Sequence, residues 1–173
     1  MPEASLPVFK TITLGQYTSP QEYRKALKGN RCRVQRYADE VLDKIEISPQ
    51  PIDLHLVIVS VAELGFRTSV PYDVIWKRVN ETGLQLCPAE VGPALRLRYL
   101  DQPKRADELL RIGMCPVHHA AGAYVFDLMN IPGPRWMGRG LWLGLSGIDT
   151  ITLGDKVFGP GARFVFASPQ LRD

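Results

Sequence analysis

The amino-acid sequence predicts an α+β domain in which N-terminal helices pack on a mainly antiparallel sheet formed largely by the C-terminal half. Helix-capping signals and apolar residues at helical spacing lie in the first half of the chain. Short apolar or alternating runs, separated by Gly and Pro, lie in the second half. No sustained strand–helix–strand alternation joins the two, which favours α+β over α/β.

The bulk composition is that of one ordinary globular domain spanning residues 1–173. Of the 173 residues, 45% are hydrophobic and 23% are charged, so the chain can build one core without a metal or disulfide. The formal net charge of +3 permits an anionic partner without requiring one. Three scattered cysteines do not form a disulfide framework.

The distribution of apolar residues indicates a cytoplasmic protein. Residues 1–10 lack a basic region followed by a long apolar run, so we expect no signal peptide. No stretch reaches the roughly 18 apolar residues of a membrane span. We therefore expect no membrane partner.

The helices of the first half are predicted from their starts and stops. Ser19 and Pro20 are typical of a helix start, Glu22 completes a capping box, and Gly29 is a natural stop. A second helix is indicated by apolar residues spaced three and four apart between Val34 and Ile45.

A buried strand and a third helix follow. The apolar run from Leu54 to Val61 is typical of a buried central strand. Ser69 and Pro71 then start a helix that Gly83 ends.

Strands dominate the predictions for the second half. The alternation from Leu95 to Tyr99 is typical of a half-buried strand. Further strands are predicted from Leu109 to Met114, Tyr124 to Met129, Leu141 to Leu145 and Phe164 to Phe166, and a brief one from Thr11 to Leu14.

Two stretches carry a resemblance to a known family. Residues 61–66 read VAELGF and residues 83–103 read GLQLCPAEVGPALRLRYLDQP. They resemble a family of small bacterial proteins of uncharacterised activity with VAELGF and GLxLCPAEVGPxLRLxYxDQP stretches. After Met114 this sequence keeps the family's tryptophans but not its acidic hairpin. The resemblance implies a shared fold and brings no activity, cofactor or catalytic residue with it.

Cys87 is the candidate nucleophile. Pro88 can open a short helix, which would place Cys87 beside a helix N-terminus, where a thiolate is stabilised. A catalytic cysteine also needs a base, and His118 or His119 is the candidate. The alternative is a small buried thiol that fixes a turn.

Cysteine and histidine residues close together in the sequence suggest a second kind of site, one that binds a metal ion. Cys115 and His118 have the spacing of a ligand pair, and Cys87 could add a third ligand. Because no second short-spaced pair exists, the alternative is a polar hairpin turn. We assign no metal ligands and no cofactor.

Basic residues suggest a surface for phosphates. On a strand, Arg96 and Arg98 would share one face, and Arg111 on the next strand could join them. The alternative is a solvated polar face balanced by nearby carboxylates.

The segment from Arg135 to Trp142 suggests an interaction surface. It combines Trp136 with Arg135 and Arg139, and Trp and Arg are enriched at the energetic centres of interfaces. Trp136, flanked by Pro134 and a glycine, is the better candidate for an exposed anchor, whereas Trp142 is expected to pack in the core.

These observations favour a non-catalytic binding or protein-interaction module, with a protein partner or self-association. One alternative is a small enzyme that uses Cys87 with His118 or His119. A further alternative is a weak, salt-sensitive nucleic-acid binder that uses the arginine face. The sequence has none of the common nucleotide-binding, metalloprotease or serine-hydrolase motifs.

Overall fold

The computed structural model describes residues 6–120, 122–150 and 154–169. Within these residues four α-helices and eleven β-strands form the predicted α+β fold. The helices are α1 (Pro20–Gly29), α2 (Arg36–Leu42), α3 (Tyr72–Glu81) and α4 (Val91–Arg98). The strands are β1 (Lys10–Leu14), β2 (Arg33–Val34), β3 (Ile52–Ser60), β4 (Val70–Pro71), β5 (Leu110–Ile112), β6 (Val117–His119), β7 (Gly122–Ile131), β8 (Gly140–Thr150), β9 (Gly154–Asp155), β10 (Val157–Phe158) and β11 (Arg163–Ala167).

The main sheet is mostly antiparallel and is built largely from C-terminal strands. Seven of its nine described strands run in the spatial order β1–β3–β11–β5–β7–β8–β2. The β11–β5 and β2–β8 pairs are parallel. β6 pairs with β7, β9 pairs with β8, and β4 forms a separate small sheet with β10. The β7–β8 hairpin brings residues 132–139 to its turn.

The predicted start of α1 is confirmed in atomic detail. The Ser19 hydroxyl accepts a hydrogen bond from the Glu22 amide at 3.3 Å, and Pro20 is the first helical residue. The Glu22 carboxylate accepts from the Thr18 amide at 2.6 Å. Tyr23 and Leu27 then lie on the buried face.

The second and third helices are shorter than predicted, because their first apolar residues enter strands. Val34 belongs to β2 and pairs with Leu143 in β8, so α2 begins only at Arg36. Val70 belongs to β4, where it pairs with Phe158, so α3 begins at Tyr72.

The strand predicted from Leu95 to Tyr99 is wrong, since these residues lie in and just after α4. Every residue from 91 to 96 is buried, Arg96 included. The alternation of apolar and basic residues therefore does not mark an inner and an outer face. Gly92 brings the helix so close to β7 that an added Cβ would overlap the Phe126 ring.

The core joins both halves of the chain in one apolar cluster. An aromatic group lies where α3 and β10 meet the sheet. The Phe164 ring lies 5.8 Å from Tyr72 and 5.3 Å from Phe158, measured between ring centroids. Gly113, just after β5, lies directly beneath the Phe166 ring.

None of the described helices is long and apolar enough to cross a membrane.

We expect Gly113→Ala to lower the free energy of unfolding by about 1–3 kcal/mol, because its Cβ would overlap the Phe166 ring in a packed core. Gly29→Ala is the matched control. Among the described residues no atom lies within 4 Å of the Cβ added at position 29. Gly29→Ala should therefore be neutral or raise the free energy of unfolding by about 0.4–1 kcal/mol. Urea denaturation followed by tryptophan fluorescence measures both. Equal effects of the two substitutions would contradict this packing.

Candidate functional site

Cys87 lies in the core, in the loop that precedes α4. Its amide donates to the Gly113 carbonyl at 2.7 Å, and its thiol donates to the Val165 carbonyl, with 3.5 Å between sulfur and oxygen. Burial raises the pKa of the Cys87 thiol far above its ordinary value. The helix also starts at Val91 rather than next to the cysteine. The side chain is therefore a neutral thiol at neutral pH, which matches the small buried thiol weighed above.

His119 is held by Glu40 of α2 and by Lys44, which lies in the turn just after that helix. Lys44 Nζ lies 3.1 Å from His119 Nδ1, and His119 Nε2 lies 2.5 Å from Glu40 Oε2. Because an ammonium group can only donate, Nδ1 accepts and the proton on Nε2 points to Glu40. Lys44 also donates to the His118 carbonyl at 2.9 Å. Both ring nitrogens of His119 are thus occupied, and β6 is fastened to α2.

The structure does not join these histidines to Cys87. Among the described residues neither histidine side chain forms a hydrogen bond to the thiol, and the His118 side chain is exposed. Throughout the described residues, no group of three or more His, Cys, Asp or Glu side chains is placed to hold a metal ion. The catalytic role of Cys87, His118 and His119 stays a prediction that this geometry does not support.

Arg96 is an interior residue rather than a surface contact. Its guanidinium donates to Gln102 Oε1 at 2.6 Å and to the carbonyls of Met129 and Trp142 at 3.3 Å each. It also donates to the Tyr99 carbonyl. Burial lowers the pKa of Arg96 to about 10, so it stays charged at neutral pH. The buried cation ties α4 to β7 and β8.

The three arginines expected on one basic face lie in three environments. Arg98 is exposed at the end of α4. Arg111 Nε donates to Ser146 Oγ at 3.1 Å, and its guanidinium lies 4.9 Å from the Phe158 ring centroid. The continuous arginine face predicted from strand alternation is therefore wrong as a geometry.

The Arg111 contact belongs to a buried polar cluster on the sheet. Ser146 Oγ donates to Asp127 Oδ2 at 2.7 Å, while Oδ1 of the same carboxylate has no hydrogen-bond partner within the described residues. Burial raises the pKa of the Asp127 carboxyl, against the opposing effects of Ser146 and Arg111. Asp127 follows Phe126, which packs on α4, so the two side chains point to opposite faces of β7.

The turn of the β7–β8 hairpin presents an exposed tryptophan. We call residues 132–139 the hairpin tip. Trp136 is 83% exposed and Met137 is 59% exposed, in a 3₁₀ turn that spans Arg135–Met137. The Arg139 side chain is exposed as well. The side chain of Arg135 lies outside the described part of the structure.

Backbone geometry and one tryptophan hold the hairpin tip in place. Gly133 and Gly138 have φ angles of 112° and 77°, which favour glycine. The Met137 amide donates to the Pro134 carbonyl at 3.1 Å. Trp142 Nε1 donates to the Gly138 carbonyl at 2.7 Å. The two tryptophans thus differ as expected, since Trp142 is partly buried and braces the loop on which Trp136 is exposed.

Sequence reasoning missed the main role of Glu90. This buried carboxylate accepts from the Tyr23 hydroxyl at 2.6 Å and from the amides of Gly15 and Ser48 at 2.8 Å each. Glu90 is the residue immediately before α4, where a negative charge also suits the helix dipole. Its donors come from three separate segments, so local sequence carries no signal for the cluster.

No protein-family model matches this chain, and comparisons with curated proteins and with solved structures find no match either. The resemblance of residues 61–66 and 83–103 to small bacterial proteins therefore stays a prediction.

We expect a thiol reagent at neutral pH to modify Cys115 at least roughly tenfold faster than Cys87 or Cys32 in the folded protein, because Cys115 is exposed and the other two are buried. In denaturant all three should react alike. Timed alkylation followed by peptide mass spectrometry measures the rates. Modification of Cys87 as fast as that of Cys115 would favour the nucleophile hypothesis instead.

Proposed function

We propose that this protein is a non-catalytic binding module that contacts a protein partner through the hairpin tip. The observation that carries the proposal is Trp136, which is 83% exposed at the turn of the longest hairpin. Tryptophan is prominent among the residues that dominate binding energy in protein interfaces. Burying an apolar side chain of this size against a partner contributes about 1.5–3 kcal/mol or more.

The fixed conformation of the hairpin tip supports this proposal. A flexible loop loses conformational entropy when a partner orders it, and a loop that is already ordered loses less. The contacts from Trp142 to Gly138 and from Met137 to Pro134 hold the backbone on both sides of the 3₁₀ turn. The backbone that carries Trp136 is therefore ordered before binding.

The charge of the neighbourhood favours an acidic partner surface. Residues 132–139 contain two arginines and no Asp or Glu. Arg33, on the edge strand β2, adds a third cation, with its guanidinium 5.6 Å from the Trp142 ring centroid. Opposite charges around an apolar anchor steer association and fix its register.

The alternative functions have less support. The enzyme alternative requires a reactive Cys87, whose thiol is buried and uncharged. The nucleic-acid alternative requires Arg96 at the surface, and this residue is fully buried. The hairpin tip is aromatic and basic, and single-stranded nucleic acid can also bind such a surface. An adduct with nucleic acid is therefore one result that the crosslinking test distinguishes.

The test places a photo-crosslinking amino acid at Trp136 in the native host, with the same substitution at Trp76 as control. Trp76 is 37% exposed on α3, which is not part of the hairpin tip. We expect a discrete protein adduct from position 136 and none from position 76. With the purified partner, Trp136→Ala should weaken binding about thirtyfold, while Trp76→Ala should not.

The charge contribution is tested in the same assay. Arg139→Glu should remove most of the adduct, whereas Arg67→Glu, at another exposed site, should leave it unchanged. An adduct of twice the monomer mass would identify the partner as a second copy of this chain. Equal adducts from both tryptophan positions, or an adduct of nucleic acid alone, would refute a specific protein contact at the hairpin tip.

A further inference from the structure

A cleft of about 220 Å³ lies between α1, α4 and the loop after β1, and none of the described residues that line it belongs to the hairpin tip. Its apolar wall includes the rings of Tyr17 and Tyr23, whose centroids are 4.8 Å apart, and Leu97 of α4. Its polar lining includes Gln16, Asn30 and Arg98. A cavity of about 150 Å³ can bind benzene, so this volume has room for a ligand of one ring with one substituent.

Some polar groups that line the cleft are already engaged. The Tyr23 hydroxyl donates to Glu90 at 2.6 Å, so this ring is fixed in place. The Asn30 amide donates to the Ala26 carbonyl at 2.8 Å. These two contacts fix the shape of the cleft. The hydrogen-bonding groups that a ligand could use therefore belong to other lining residues.

Three side chains in the cleft have hydrogen-bonding groups to spare. In the described parts of the chain no hydrogen bond or ion pair is formed by the side chains of Gln16, Tyr17 or Arg98. The Tyr17 hydroxyl and the Arg98 guanidinium can donate hydrogen bonds, and the Gln16 amide can both donate and accept. Of the described residues that line the cleft, Arg98 is the one that carries a charge. This donor set suits a ligand with a negative group.

The carboxylates of Asp53 and Glu90 lie near the cleft, and neither belongs to its lining. The Asp53 carboxylate accepts from the hydroxyl of Thr13, a lining residue, at 2.6 Å. Glu90 lies behind Tyr23, and its oxygens already accept from that hydroxyl and from the amides of Gly15 and Ser48. Its side chain is buried, at 1% exposure, and is not part of the cleft lining. A ligand in the cleft therefore meets the Arg98 guanidinium, because neither carboxylate is part of the lining.

From these contacts we infer that the cleft binds a small organic anion, with its carboxylate or phosphate on Arg98 and its planar ring against Tyr17. A planar ring gains contact with the tyrosine ring and with Leu97. A phosphate or carboxylate accepts two donors of a guanidinium at once, which is the arrangement that arginine favours. This site is separate from the surface of the proposed function and does not depend on it.

The test is calorimetric titration of the full chain at low salt with phenyl phosphate as probe. Benzoate carries the other anionic group on the same ring, inorganic phosphate lacks the ring, and benzylamine reverses the charge. We expect saturable 1:1 binding of phenyl phosphate, weaker binding of inorganic phosphate, and none of benzylamine. Arg98→Gln should weaken phenyl phosphate about tenfold, as expected for the loss of a charge-assisted contact.

The control variants separate this site from general charge effects. Arg67→Gln removes an exposed cation elsewhere and should leave the affinity unchanged. Tyr17→Ala should weaken phenyl phosphate more than inorganic phosphate, because only phenyl phosphate also loses the contact between its ring and the Tyr17 ring. If benzoate binds about as well as phenyl phosphate, the site recognises anionic charge rather than phosphate itself, which the inference allows. Equal loss in the two arginine variants, benzylamine binding as tightly as phenyl phosphate, or no saturable binding of either ring anion would overturn the inference.

Discussion

The N-terminal third of this fold depends on one buried carboxylate. Among the described residues Glu90 has no cationic hydrogen-bond partner, and its oxygens instead accept from one hydroxyl and two backbone amides. A buried charge is tolerated when its oxygens are fully hydrogen-bonded. Because the donors come from the loop after β1, from α1 and from the loop before β3, one side chain fixes three segments against α4.

The turn after β1 packs so closely near Glu90 that position 15 requires glycine. Gly15, whose amide is one of the donors, has a φ of 73°, and an added Cβ would overlap the Gln50 carbonyl. The turn after β1 therefore presses directly on the loop that leads into β3. The carboxylate, the turn and the loop form one packed unit, and this unit positions the Tyr23 ring in the wall of the cleft.

Buried charges fasten α4 at both of its ends. Glu90 acts at the start, and Arg96, near the end, donates to carbonyls of β7 and β8. These strands carry the hairpin tip. The same short helix thus connects the segment that shapes the cleft with the hairpin that exposes Trp136, although the two surfaces are distinct. This arrangement accounts for a helix that is buried along most of its length.

The sequence predicted those features that neighbouring residues determine, and it did not predict contacts between distant segments. The start of α1 at Ser19 and the exposure of Trp136 follow from neighbouring residues, and both predictions are confirmed. The strand predicted around Arg96 failed because periodicity assumes that arginine faces solvent. Glu90 could not be recognised, since two of its donors, the amides of Gly15 and Ser48, lie 75 and 42 positions away. The separation of Cys87 from the histidines is likewise a property of the tertiary fold.

The most direct measurement is the free energy of unfolding of Glu90→Gln, obtained by urea denaturation, against Glu63→Gln as control. Glu63 is an exposed residue that accepts from the Ser60 amide at 2.7 Å. The amide at position 90 would turn a donor toward other donors, so we expect a loss of about 2–3 kcal/mol. The control should lose less than about 0.5 kcal/mol. Equal, small losses in both variants would contradict the role of Glu90 as the residue that holds these segments together.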